Sequence, residues 1–211
     1  MNLAGMTDHT LLKPQAMEKD IVALCHEAQL HKFATVCVNP IYVQTAAKLL
    51  HGTGIGVVAV VGFPLGATFT EVKIQEVFMV KAHGGKEVDM VINIGWAKSG
   101  NWDAVEQDVA RVVEAAHGCG LIIKVIIETC LLSEDEKEMV SKIVKRAGAD
   151  YIKTSTGFAG GGATVEDVSN LKAWVGENVK VKASGGIRTR EFALELIEAG
   201  AERLGTSAVL V

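Results

Sequence analysis

Short runs of β-branched and aliphatic residues recur along this chain, and between them apolar positions return every three or four residues. The runs cover residues 8–12, 35–38, 57–62, 88–93, 122–128, 151–154, 179–183 and 203–206. They read as eight strands with centres about 22 to 35 residues apart, the interval of a strand–helix repeat. In the gaps, Val105, Val109, Val112, Val113 and Ala116 fall on one helical face. Met139, Val140, Ile143, Val144 and Ala147 form a second such face, and Val165, Val168, Leu171 and Trp174 a third. Ser133 with Glu136, and Thr164 with Asp167, stand three apart at the head of the last two segments, as in capping boxes. Gly148, Gly200 and the Gly84-Gly85 pair each precede a strand by a few residues. Glycine suits the left-handed residue that ends a helix. The punctuation is the same throughout, so residues 1–211 read as one domain.

Alternating strand and helix units imply a parallel sheet covered by helices. Eight units predict a (β/α)8 TIM barrel, near the short end for that fold. An open doubly wound sheet is the alternative, but no Gly-x-Gly-x-x-Gly or Walker sequence follows the first strand.

Four consecutive predicted strands each carry a charge inside an apolar run: Asp89, Lys124, Lys153 and Lys182. Side chains alternate along a strand. Val179, Val181 and Ala183 therefore share a face opposite Lys182, and Ile152 and Thr154 one opposite Lys153. If helices receive the aliphatic faces, the charges point into the barrel and meet. Burial and a neighbouring ammonium both lower the basicity of a lysine. A neutral lysine is an amine nucleophile that forms an imine with a carbonyl. The imine is an electron sink that permits carbon–carbon bonds to form or break, and Asp89 is placed to shuttle protons directly or through water.

Composition narrows the choice. The 211 residues are 49% hydrophobic and 5% aromatic, with a formal net charge of −4. That excludes the basic surface and stacking platforms of nucleic-acid binding. No apolar run approaches the ~18 residues of a membrane span. The opening Met-Asn-Leu-Ala-Gly-Met lacks the basic and apolar regions of a signal peptide. Cys25, Cys37, Cys119 and Cys130 are scattered without metal-ligand spacing and fit reduced thiols in a cytoplasmic protein.

Glycines cluster where predicted strands end: Gly157, Gly185-Gly186, and Gly205 with Thr206 and Ser207. The C-terminal ends of strands form the active face of a barrel, and the loops after strands 7 and 8 commonly hold phosphate. Glycine lets backbone N–H groups approach an anion. Ser207 adds a hydroxyl donor, and Arg188 is either a further cation for the same group or a solvated or structural arginine.

These segments resemble the deoxyribose-phosphate aldolase family over nearly the whole chain. The resemblance is carried by Asp8-His-Thr-Leu-Leu-Lys-Pro14, Cys37-Val-Asn-Pro40, Val61-Gly-Phe-Pro-Leu-Gly66, Glu87-Val-Asp-Met-Val-Ile-Asn93 and Lys124-Val-Ile-Ile-Glu-Thr129. Most specific are Lys153-Thr-Ser-Thr-Gly-Phe158 and Lys182-Ala-Ser-Gly-Gly-Ile-Arg188. The resemblance implies a class I aldolase of deoxyribose phosphate catabolism. Its reaction is reversible cleavage of 2-deoxy-D-ribose 5-phosphate to D-glyceraldehyde 3-phosphate and acetaldehyde. By that resemblance Lys153 forms the Schiff base, Lys182 perturbs it, and Asp89 belongs to the proton relay. Lys124, Cys37, Asp8 and Thr10 then line the substrate site, and Gly157, Gly185, Gly186, Gly205 and Ser207 bind phosphate. It implies no metal or organic cofactor, and a homo-oligomer (dimer or tetramer). Another Schiff-base aldolase or transaldolase, and a sugar-phosphate-binding barrel without turnover, are the competing readings.

The sequence departs from the family pattern in three places. Only four residues follow Ser207, so the expected helix after the last strand is missing or very short, and the segment before Asp8 is shortened. The seam between first and last strands is therefore expected to be exposed, mobile, or covered by a partner subunit. Val209 stands where glycine is common, and Gly85-Lys86 replaces Ala-Asp in a turn.

Overall fold

Eight parallel strands close on themselves: β1 (Thr7–Leu11), β2 (Thr35–Val38), β3 (Gly56–Val61), β4 (Glu87–Val91), β5 (Ile122–Ile126), β6 (Tyr151–Lys153), β7 (Lys180–Ser184) and β8 (Ala201–Thr206). The structure is a computed structural model and describes residues 2–210. Each strand pairs with its sequence neighbours, and β8 pairs with β1. The closure removes the open-sheet alternative. Helices α1 (Glu18–His31), α2 (Val43–Leu49), α3 (Thr70–Ala82), α4 (Ile94–Lys98), α5 (Trp102–Gly118), α6 (Glu134–Ala147), α7 (Val165–Val175) and α8 (Arg190–Glu198) fill the connections. The connection after β4 holds two of them, and the described residues after β8 form none.

The helix ends follow their sequence signals. Ser133 and Glu136 exchange both bonds of a capping box, and Gly148 closes α6 in left-handed geometry. Thr164 accepts from the Asp167 amide at the head of α7, but Asp167 does not complete a box. Its carboxylate instead accepts from Lys137 on α6, 2.6 Å away, where a buried cation needs it more than an exposed amide does.

Alternation divides each strand into two faces. Val36, Val57, Val88, Ile123, Ile152, Val181 and Leu204 point outward into one large core beneath the helices. The interior is itself divided. Leu12, Cys37, Val58 and Val60 form a separate apolar cluster with Phe63 on the β1–β3 side, and charged side chains from β4–β8 and Asp8 of β1 occupy the rest.

The seam differs from the expectation of an exposed edge. Thr7, His9 and Leu204 are almost fully buried there. A 3-10 turn at Ala4–Met6 packs against β8, Leu3 and Leu210 are buried, and Thr7 Oγ1 donates to the Leu3 carbonyl at 2.8 Å. Short apolar segments at both ends of the described chain thus do part of the work of a covering helix.

Candidate active site

Strand register, rather than sequence proximity, assembles the site. Asp89 pairs across from Lys124, Lys153 from Lys182, and Gly205 from both Ser184 and Asp8. The inward side chains of β5, β6 and β7 therefore converge on β4, and three lysines meet around one carboxylate. Asp89 accepts from Lys124 Nζ at 2.9 Å through one oxygen. Its other oxygen accepts from Lys153 Nζ at 2.8 Å and Lys182 Nζ at 2.7 Å. Asp8 accepts from Lys182 Nζ at 2.5 Å, from Arg203 Nη1 at 2.8 Å and from Thr35 Oγ1 at 2.6 Å. Lys124 Nζ also lies 2.5 Å from a Glu87 oxygen.

Charge counting identifies the unusual member. Three carboxylates (Asp8, Glu87, Asp89) face four cationic side chains (Lys124, Lys153, Lys182, Arg203). One excess positive charge in a dry interior is costly, and it is relieved if one lysine is neutral. The environment selects Lys153. Burial lowers its basicity and the Lys182 ammonium adds to this, against the pull of Asp89. Burial acts the same way on Lys182, but Asp8 and Asp89 outweigh it and keep that lysine more basic than usual. Lys124 is likewise raised, by Asp89, Asp8 and Glu87 against burial. Lys153 is therefore made less basic mainly by burial and secondarily by Lys182, and Lys182 keeps its charge because Asp8 stands beside it.

Burial would raise the Asp89 carboxyl, but Lys124, Lys153 and Lys182 together hold it well below the ordinary value of 3.8. So weak a base is a poor direct proton shuttle. Asp8 is also held down, with Lys182, Lys124 and Arg203 overcoming burial. The Cys37 thiol, fully buried, is pushed up to about 11, chiefly by burial and then by Asp89.

A cavity of about 380 Å³ opens above this cluster at the C-terminal ends of β6, β7, β8 and β1. It is lined by Thr10 and Lys13, by Lys153, Thr156, Gly157 and Phe158, by Gly185, Gly186 and Arg188, and by Gly205 and Ser207, among others. Lys153 is the one lysine of the central cluster that reaches it, and no lining residue carries a carboxylate. The amides of Gly157, Gly185, Gly186 and Ser207 donate to no other described protein atom. The first three residues have φ of 84°, 85° and 77°, the left-handed region that favours glycine. Free amides beside Arg188 and Lys13, without an acid, suit a dianion.

Several residues expected to touch substrate sit elsewhere. Lys124, Cys37 and Asp8 are fully buried beneath the cavity floor and contribute no lining. Asp8 and Lys124 each stand two residues below the level of a lining residue, Thr10 on the same strand and Lys153 on the neighbouring one. Thr10 does line the cavity. Gly205, expected among the phosphate-binding glycines at the end of the last strand, lies within β8. A Cβ there would stand 3.0 Å from Lys182 Cε and 3.0 Å from Ser184 Cβ, so this glycine makes room for the lysine. Gly205→Ala is expected to displace the Lys182 side chain and lower kcat about tenfold, at an overpacking cost of about 1–3 kcal/mol. Single-turnover imine formation checks this, and a wild-type rate in a folded variant rejects it.

The sequence reading missed Arg203 and Glu87 as members of the cluster, although Glu87 lies two residues from the recognised inward Asp89. Glu87 fell one residue outside the expected strand, and Arg203 was taken as a strand boundary. Period-two alternation through Asp89 would have found Glu87, whereas Arg203 had no recognised inward neighbour on its strand.

The chain matches the model of the DeoC/LacD family of aldolases over residues 3–209. It is 74% identical over 208 residues to a deoxyribose-phosphate aldolase of Desulfitobacterium hafniense (strain DSM 10664 / DCB-2), covering 99% of this chain and 95% of that protein. It is 52% identical over 208 residues to a deoxyribose-phosphate aldolase of Bacillus cytotoxicus, covering 99% and 93%. Among solved structures, a tetrameric deoxyribose phosphate aldolase from Aeropyrum pernix superposes with a TM-score of 0.91 at 35% identity, covering 98% of this chain and 87% of that one.

Proposed function

Because the chain belongs to the DeoC/LacD family of aldolases, we propose a mechanism in which Lys153 is the Schiff-base nucleophile. The protein is a carbon–carbon lyase that reversibly cleaves 2-deoxy-D-ribose 5-phosphate to D-glyceraldehyde 3-phosphate and acetaldehyde, a step of deoxyribose phosphate catabolism. One observation carries the assignment: Lys153 is both the cluster lysine that lines the cavity and a lysine less basic than usual.

In this mechanism the neutral Lys153 amine adds to the C1 aldehyde and loses water to give an imine. Protonation of its nitrogen makes an iminium. The C3 hydroxyl loses its proton, the C2–C3 bond breaks, and its electron pair moves into the iminium as an enamine. Glyceraldehyde 3-phosphate leaves; protonation of C2 and hydrolysis release acetaldehyde and free the lysine. Lys182 is the neighbouring charge that favours the neutral amine. Asp89 orients both Nζ atoms, and its part in proton transfer runs through them or through water rather than by direct contact. Asp8, Lys124 and Cys37 form the floor on which the lysines stand. Thr10 meets the substrate, and the Gly157, Gly185, Gly186 and Ser207 amides take the phosphate, with Gly205 supporting Lys182.

The test is borohydride reduction in the presence of acetaldehyde, followed by peptide mapping. The expected result is one two-carbon adduct, on Lys153; no adduct, or one on another lysine, rejects the mechanism.

We also propose that residues 1–211 act as one domain in a cytoplasmic homo-oligomer. No helix among the described residues is long and apolar enough to cross a membrane. The four cysteines are unpaired, as a reducing compartment keeps them. Ile41, Leu65 and Phe69 expose most of their apolar surface, as a chain that associates with its own copies does.

A further inference from the structure

We infer that Glu128 is a positioning residue that sets the phosphate end of the site by fixing Thr156 and thereby the free Gly157 amide. Glu128 follows β5 and is 2% exposed, yet it adopts φ 55° and ψ 67°. Left-handed backbone is unfavourable for a residue with a side chain, and such strain persists only where the surroundings hold it. The surroundings here are a single loop of the site. One Glu128 oxygen accepts from the Thr156 amide at 3.1 Å, and the other accepts from the Thr156 hydroxyl. The same hydroxyl accepts from the Phe158 amide at 3.0 Å. The backbone backs this up, with Thr129 N donating to the Thr154 carbonyl at 2.9 Å.

The consequence lies in what is left over. Of the three successive amides in this turn, Thr156 and Phe158 are tied down, directly or through the hydroxyl, to Glu128. Only the Gly157 amide has no described protein partner. Thr156 and Gly157 both line the cavity, whereas Glu128 does not. The carboxylate therefore acts at one remove: it consumes the donors that would otherwise compete for an anion and holds the remaining one in place. Its carboxylate is bonded to Thr156 and not to Lys153 Nζ, so it serves recognition of the phosphate and not imine formation. This inference rests on the reading of the glycine amides as the phosphate site.

The experiment compares 2-deoxyribose 5-phosphate with unphosphorylated 2-deoxyribose in the wild type, Glu128→Gln, Thr156→Val and the double variant. In Glu128→Gln we expect KM for the phosphorylated sugar to rise about tenfold, with inhibition by inorganic phosphate weakened to match. Its kcat, its kcat/KM for the unphosphorylated sugar and its acetaldehyde adduct on Lys153 stay within about twofold, which also shows the fold intact. Because Glu128 acts through Thr156, the double variant is expected to lose no more phosphate discrimination than either single one. Thr156→Ser, which keeps the hydroxyl, retains the wild-type KM. Equal losses on both sugars, no loss on either, or additive losses in the double variant overturn the inference. A wild type that does not distinguish the two sugars overturns instead the phosphate reading beneath it.

Discussion

Lys153→Ala is expected to lower turnover of 2-deoxyribose 5-phosphate by at least about four orders of magnitude and to abolish the borohydride-trapped adduct. The reason is geometric as well as chemical. No other lysine of the cluster lines the cavity, and Lys182, the nearest alternative, is held charged by Asp8 and Asp89. A spare nucleophile is thus absent even though a second amine shares the same Asp89 oxygen. Lys182→Met is expected to behave differently. It still forms the adduct, because the nucleophile remains, but more slowly at neutral pH. Removing Lys182 takes away a charge that lowers Lys153, so Lys153 becomes more basic and is protonated over a wider range. The pH of half-maximal imine formation therefore moves upward. Rate–pH profiles of the two variants check the pair of statements. Residual turnover in Lys153→Ala, or a downward shift in Lys182→Met, contradicts the division of roles.

Asp89→Asn carries the largest expected effect on stability. It leaves two carboxylates facing four cationic side chains in a fully buried cluster. Breaking a buried ion pair by removing one partner typically costs about 3–5 kcal/mol. The pH dependence has a definite sign. The Asp89 carboxyl is held below its ordinary 3.8 in the folded state, so the folded state binds fewer protons than the unfolded one in that interval. Its contribution is complete above about pH 5 and drains away as pH falls through the unfolded value toward the lower folded one. Urea unfolding of wild type and Asp89→Asn should therefore show a gap that is wide at pH 7 and narrows from about pH 5 to pH 3. A gap independent of pH means that the loss is one of packing and not of charge.

The outward faces explain why so much of the fold was legible. Val179, Val181 and Ala183 alternate with Lys180 and Lys182, and this period of two fixes both the strand and the side that helices must cover. The same period sent Asp89, Lys124, Lys153 and Lys182 inward without any knowledge of neighbours. Glycine punctuation, as at Gly148, marked where helices stop. Boundaries were less secure, and the one-residue shift at Glu87 hid a member of the ionic cluster.

Other features had no local signature. Nothing near Glu128 in the sequence says that it reaches Thr156, 28 positions later, or that its backbone is left-handed. Gly205 was expected to bind phosphate, and only the packing between β7 and β8 shows that it accommodates Lys182. Asp8 was expected to line the substrate site, yet barrel closure brings it to Lys182, 174 positions away.

The sequence by itself determined the alternation of strand and helix, the inward set of charges and the presence of two lysines one unit apart, because these depend on periodicity along the chain. Only the tertiary structure decided which of the two Nζ atoms reaches the cavity and which carboxylates stand beside the other, because Asp8 meets Lys182 only when β8 closes onto β1, a contact between residues at opposite ends of the chain.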